Sequence, residues 1–395
     1  MKAAVSLALC LLCMRADCFT KKNIENPHEQ ENVPFPPASE ELVRFTETVH
    51  GEPIPVLPSY FHKNEFRLTG DFLYWQANED DLHYASGGTA TYDSFGNPLT
   101  FTQQIDDLDF KWHPGFRVGL GSYLQVWDGW DLYLNWTHIK GSGSGSASSN
   151  LQEEPGNIMG NFFNPLIALW GLAEVFSPFQ LVGANSHWAL DYDTIDLELG
   201  REFWQGKAFS IRPNLGFRGA FIDQDSKTSY QSALPLQGGS IVIREQSYLA
   251  DNDFKAFGLR CGSNLNWHFA KCWNIISQIS TSLLYGNFDV KGKIHGVQDQ
   301  MFNYTTPLDI LITRNYWRNR FEVEAGIGIQ WNRFFQGSRH ISLSALYEIT
   351  EWFQMNEFIL IEHISNMNII NLQSLEPRGG SLGFQGVTLK ADFHF

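Results

Sequence analysis

From Phe66 to Phe395 the chain is written in alternating apolar and polar positions, the period of a strand with two unlike faces. The last segment shows it best. In Gly380 to Phe395, GSLGFQGVTLKADFHF, the residues Val387, Leu389, Ala391, Phe393 and Phe395 share one face, while Thr388, Lys390, Asp392 and His394 share the other. Phe116, Val118, Leu120, Leu124 and Val126 alternate with Arg117, Gly119, Gly121, Tyr123 and Gln125; the pair Asp128-Gly129 then supplies a tight turn into Trp130, Leu132, Leu134 and Trp136. A first strand is predicted over Phe66 to Ala77, with Leu73, Trp75 and Ala77 on one face, and another over Arg320 to Trp331, where Phe321 to Trp331 alternate with Glu322 and Glu324. Ile341 to Trp352 continues the pattern. Such strands suit a soluble sandwich or a barrel whose outside meets lipid and whose inside meets water.

Between these strands the reading is of loops. Asn78 to Asp107, Asp223 to Ser247 and Asp289 to Thr313 are polar, with short strands admitted at Leu99 to Gln103 and Ile241 to Tyr248. The run GSGSGSASSN, Gly141 to Asn150, reads as a flexible segment outside any membrane. Ile158 to Gly183 is apolar but interrupted by Pro165, Glu174 and Pro178, which predicts a buried short helix or a loop folded into a pore. Around Gln205-Gly206 a turn leads into Lys207 to Ile222, with Pro213 in the apolar row marking a bulge or local break. Phe254 to His268 and Ile275 to Phe288 pair with a weak phase, because both rows of the second strand hold isoleucine and serine. The sum is an all-β fold: a transmembrane antiparallel β-barrel with short turns on one side, long loops on the other, and about 10–14 strands.

Composition sharpens this choice. Phe, Trp and Tyr make up 14% of the chain, as barrels with interfacial aromatic girdles require. A formal charge of -15 argues against nucleic-acid binding, which needs concentrated Lys and Arg. Residues 1–16 have the outline of a secretory signal: Lys2, an apolar run too short to span hydrocarbon, then Ala16, with Arg15 blurring the cleavage site. Residues 17–65, rich in Pro, Glu and Asn, read as a flexible N-terminal segment, and 66–395 as the barrel. Cys261 and Cys272 are either a disulfide across a hairpin or two free thiols.

No catalytic, cofactor or metal constellation is predicted. Asp106, Asp107 and Asp109 lack the calcium-loop spacing, and GSGSGS lacks the Lys-Ser or Lys-Thr of a phosphate loop. The informative polar residues are those on the inward rows, Arg117, Arg212, Arg218, Glu322, Glu324, Lys390 and Asp392, which are costly against lipid and well placed along a water-filled pore.

GDFLYWQANEDDLHYA at Gly70 to Ala85, GWDLYLNWTHI at Gly129 to Ile139 and the closing VTLKADFHF, together with the leader, resemble the pore-forming major-outer-membrane-protein-like porin family of chlamydia-related bacteria and Legionella, over Phe66 to Phe395. The resemblance implies a porin of the bacterial outer membrane that passes ions and small hydrophilic solutes. It also implies insertion by a barrel assembly machinery that reads a C-terminal signal completed by Phe395. Its partners would be outer-membrane lipid, that machinery, the solutes themselves and, in a self-associating form, further copies of the chain. The five cysteines are few for a heavily cross-linked family member. Two alternatives stand beside the porin: a structural or host-adhesion barrel without an open channel, and a secreted β-protein whose Trp127, Trp130, Trp136 and Trp188 stack on sugars.

Overall fold

In the computed structural model the described residues are 48–49, 52–53, 66–92, 98–124, 129–149, 166–170, 180–206, 208–235, 241–300, 304–335, 339–361, 375–377 and 379–395. Among them ten long strands dominate, numbered here in chain order. They are β1 (Phe66–Glu79), β2 (Trp112–Tyr123), β3 (Trp130–Ser148), β4 (Gln180–Arg201) and β5 (Phe209–Pro235), followed by β6 (Ile241–His268), β7 (Trp273–Gln300), β8 (Tyr304–Phe334), β9 (His340–Trp352) and β10 (Leu382–His394). Each is antiparallel to its neighbour in sequence, and β10 pairs with β1 from Leu382↔Glu79 to His394↔Arg67, giving an antiparallel ring.

Alternation decides which way each side chain faces. On β1, Thr69, Asp71, Leu73, Trp75, Ala77 and Glu79 are buried, while Phe66, Leu68, Phe72 and Tyr74 are exposed. The same switch repeats on every ring strand: Phe116, Val118 and Leu120 on β2, Leu132, Leu134 and Trp136 on β3, Phe257 and Leu259 on β6, and Val387 and Phe393 on β10 are all exposed. The wall is therefore apolar outside, and its polar and charged residues point in. The weak phase of β7 resolves the same way, with Ile279, Leu283 and Tyr285 exposed and Ser280, Ser282, Leu284 and Phe288 buried. Two outward hydroxyls of β7 are tied to the neighbouring backbone: Ser277 Oγ donates to the Gly326 carbonyl at 3.1 Å and Thr281 Oγ1 to the Glu322 carbonyl at 2.9 Å.

Two turns need a left-handed residue and have glycine there, Gly129 (φ 76°) after β2 and Gly206 (φ 70°) after β4. Pro213 lies inside β5, and its register with β6 is unbroken. The break falls on the other side, where pairing with β4 ends at Gly200↔Asn214 and resumes through the short strand Phe203–Gln205 at Phe203↔Ile211. Pro213 thus sits at an interruption, where a missing N–H costs no ladder bond.

Three loop predictions are corrected. Asp223 to Ser247 and Asp289 to Thr313 are largely strand: β5 runs to Pro235 and β6 starts at Ile241, while β7 runs to Gln300 and meets β8 at Gln300↔Tyr304. Asn78 to Asp107 contains a hairpin, Ala85–Tyr92 with Pro98–Asp106. Gly141 to Ser148, expected to be flexible, is the second half of β3 and pairs with β4 from Gly141↔Leu190 to Ser148↔Gly183. Its glycines are packing devices. A Cβ on Gly141 would lie 2.9 Å from Ala77 Cβ, one on Gly143 2.8 Å from Phe110 Cδ1, and one on Gly145 2.6 Å from Tyr84 Cε1. Of the apolar stretch Ile158 to Gly183, the described parts are a short strand, Leu166–Ala168, followed by buried Trp170, and the start of β4 from Gln180; neither is helical. The leader and nearly all of the N-terminal segment lie outside the described residues, apart from a two-residue ladder, Thr48–Val49 with Glu52–Pro53.

Candidate functional site

The ring interior is layered. Toward the end carrying the short turns lies a girdle of charges; toward the other end lies a packed aromatic layer. The seven residues predicted to line a pore, Arg117, Arg212, Arg218, Glu322, Glu324, Lys390 and Asp392, all point inward into the girdle, each carried there by strand alternation. Arg67, Asp71, Asp131, Asp196, Glu198, Arg260 and Glu348 join them. Several of these were open to the same reading: Asp131 alternates with Trp130 and Leu132, and Glu348 with Tyr347 and Ile349. Arg260 lies in a strand whose face is hard to phase from sequence.

All of these groups except Lys390 are paired with one another, and several pairs cross the ring. Arg218 on β5 donates to Asp196 Oδ1 at 2.6 Å and reaches Glu322 Oε1 at 2.6 Å and Glu324 Oε1 at 2.7 Å on β8. Arg117 on β2 reaches Glu348 Oε2 on β9 at 3.2 Å and Asp71 Oδ2 at 3.5 Å. Arg260 bonds Glu324 Oε2 at 2.6 Å and lies 3.5 Å from Glu198 Oε1. Arg212 is held by Asp131 at 2.9 Å, and Arg67 by Asp392 at 2.9 Å. Mutual neutralisation is what allows so many charges to leave bulk water; removing one partner strands the other. The girdle surrounds a cavity of about 70 Å³ lined by Arg67, Arg117, Arg218, Arg260, Glu324 and Lys390 among others.

Beyond the girdle the interior is dry. Trp188, Trp352, Phe254, Phe288, Phe358 and Phe384 are fully buried there, with Tyr192 4.6 Å from Phe384 and Phe254 4.4 Å from Phe288, ring to ring. A strap after β9 enters this layer. Met355 and Phe358 are fully buried on it, Asn252 Nδ2 donates to the Met355 carbonyl at 2.8 Å, and Tyr248 donates to the Ile359 carbonyl at 2.6 Å. Glu357 of the strap forms a buried ion pair with Arg320 of β8. From the other side Trp170 stacks on Tyr248 at 5.4 Å and donates to the His83 carbonyl at 2.6 Å, so the described segment Leu166 to Trp170 packs into the ring.

Two sequence expectations separate here. Asp106, Asp107 and Asp109 do not converge: Asp107 pairs with His83, and Asp109 is in a short strand against Ser144. The three-ligand group among the described residues is His138, Asp191 and Asp193, on the outer wall of β3 and β4. Its polar atoms are occupied by Lys140, 2.8 Å from Asp191, and by Trp136 Nε1, 2.8 Å from Asp193.

Residues 59–395 match the family described as Legionella pneumophila major outer membrane protein precursor. The chain belongs to that family. Legionella major outer membrane proteins are bacterial outer-membrane β-barrel proteins with transmembrane strands and porin character, structural rather than catalytic. No curated protein matches the chain. Solved structures are similar to it only distantly. The outer membrane protease OmpT from Escherichia coli is 8% identical, covering 85% of this chain and 99% of its own, with a TM-score of 0.32. The CymD monoaromatic hydrocarbon channel is 8% identical over 85% of this chain and 90% of its own, with a TM-score of 0.30. A Pseudomonas aeruginosa FadL homologue is 10% identical over 86% and 92%, with a TM-score of 0.21. Likeness at this level assigns no cargo.

Within this Legionella family member the exposed outer row has the aromatic pairs expected of membrane interfaces. Toward the aromatic layer, Tyr74 stacks on Trp112 at 5.6 Å, Phe116 meets Trp136 edge-on at 5.1 Å, and Tyr285 stacks on Trp317 at 5.3 Å. At the short-turn end stand Phe66 and Phe395, with centroids 6.4 Å apart, and Trp267 and Phe269 at 6.3 Å. Cys261 and Cys272 are not bonded to each other: Cys261 is exposed on the outer row of β6, and Cys272 lies in the turn before β7. The disulfide alternative is not realised.

Proposed function

We propose that the ten-stranded ring is a closed barrel spanning the outer membrane, and that it works as a porin for passive diffusion of ions and small hydrophilic solutes. The girdle carries this reading. Charges are concentrated on the inner face while the outer face at the same height is apolar, and a wall of that kind is stable only with lipid outside and water inside. Lipid is then the partner of the exposed row. A barrel assembly machinery would insert the chain by its terminal strand, the leader 1–16 would direct export, and residues 17–65 would form an arm outside the barrel. Purified, folded protein in a planar bilayer should give stepwise currents; a folded preparation that inserts and gives none refutes the porin.

One observation favours a second reading, a structural or host-adhesion barrel without an open channel. The half of the ring beyond the girdle is filled by buried aromatics and by the strap at Met355 to Ile359. The porin reading requires this strap to move, whereas the second keeps it in place and makes the extended strands the working surface.

A further inference from the structure

Six cations and eight carboxylates make up the girdle, so as a whole it carries an excess of negative charge. Their arrangement around the cavity is different. All six cations, Arg67, Arg117, Arg212, Arg218, Arg260 and Lys390, line it, whereas only Asp196, Glu198, Glu324 and Glu348 of the carboxylates do. The other four stand behind, each bonded to a cation in front of it: Asp392 to Arg67, Asp71 to Arg117, Asp131 to Arg212 and Glu322 to Arg218.

Two of the cavity cations keep unused donors. Lys390 bonds no carboxylate within ion-pair distance among the described residues, although Asp71 lies opposite it in the β10–β1 register; its Nζ lies 6.0 Å from the ring centroid of Tyr133. Arg260 spends Nη2 on Glu324, while its buried Nη1 donates to nothing among the described residues. Ammonium and guanidinium donors turned into a cavity with no hydrogen-bond acceptor from the wall are costly, and an anion beside them removes that cost. A cavity of about 70 Å³ has room for several waters or for one small oxyanion.

We propose that this cavity is a binding station for small oxyanions, carboxylate- or phosphate-bearing solutes, with Lys390 and Arg260 as its anion-contacting groups. The station deepens the porin reading and, as a route for solute, rests on it; as a binding site it can be tested without current. Inorganic phosphate is titrated calorimetrically, at constant ionic strength in chloride, into the full chain folded in detergent. Lys390→Gln and Lys390→Arg are compared with the parent, and the outward Lys255→Gln serves as the control. Saturable binding is expected, unchanged in Lys255→Gln, largely kept in Lys390→Arg, and weakened about tenfold or more in Lys390→Gln, the scale of one lost charge-assisted contact. No saturable binding, or equal binding by Lys390→Gln in a preparation that keeps the parent's circular dichroism, overturns the station. In bilayers under a salt gradient the reversal potential should favour anions, and cation preference overturns the station's role in transit. Saturable binding without any current would refute the porin and leave the site standing.

Discussion

Phe395 and Phe66 exchange two backbone hydrogen bonds, 2.9 and 3.0 Å, at the end of the seam between the first and last ring strands. Phe395 is also the last side chain of the outward apolar row and is more than half exposed. No girdle residue among those described touches it, so a change there is expected to act on insertion and not on conduction. Phe395→Ala should lower the yield of membrane-inserted protein several-fold while leaving the conductance of each inserted molecule unchanged, as quantitative blotting of membranes beside single-channel records would show. A second prediction concerns Gly145. A side chain there collides with Tyr84, so Gly145→Val should destabilise the protein by about 1–3 kcal/mol and expose the hairpin at Ala85–Tyr92 to protease, whereas Ser146→Val on the outward face should be nearly silent. On the clearly alternating strands the inward row was legible from sequence, and the seven residues read there do face the interior, whereas Arg260, in a strand of weak phase, was not legible. What these residues touch was not legible. Arg218 and Glu322 lie 104 positions apart, and no local pattern foretells that they meet across the ring.

At the scale of elements, loops were over-predicted for a physical reason. Past the lipid-facing belt both faces of a strand meet water or protein, so the outer row turns polar and the alternation fades although the ladder continues. On β5 and β6 the outer row passes from Phe221 and Phe257 to Asp223, Asp225, Asp251 and Asp253, with Asp225 opposite Asp251 and Asp223 opposite Asp253. Partial burial first, and then the facing carboxylate, raise the Asp225 and Asp253 carboxyls above the ordinary carboxylate range. A carboxyl raised in the folded state binds protons there before the unfolded chain does. Stability therefore falls as pH rises from the unfolded value, near ~3.9, through the raised folded one. Asp225→Asn with Asp253→Asn should stabilise the protein at neutral pH by about 0.2–1 kcal/mol for each like-charged pair removed, a gain that vanishes at about pH 3. Urea titrations at the two pH values would check this, and a larger gain in acid would contradict it. The strap gives a prediction of its own: Glu357→Gln strands Arg320 in the aromatic layer, which should cost about 3–5 kcal/mol and increase the open time of channels in bilayer records.

For the whole molecule, the all-β class and the two-faced wall followed from sequence, and the strand number fell at the low end of the expected range. The filled outer half did not follow. Trp188, Trp352 and Phe384 alternate like any inward residues, and only the ring brings them together with the strap at Met355 to Ile359. The account stands or falls on the division between the lipid face and the rest, and two native thiols report on it. With Cys10, Cys13 and Cys18 replaced by serine and Cys261 or Cys272 left as the single thiol, the folded protein is reconstituted into lipid vesicles and offered a hydrophilic maleimide. Cys272, in the turn, should label, while Cys261, on the outer row of β6 beside Leu259, should stay unlabelled until the protein is denatured. Rapid labelling of Cys261 in intact vesicles would contradict a lipid-facing wall.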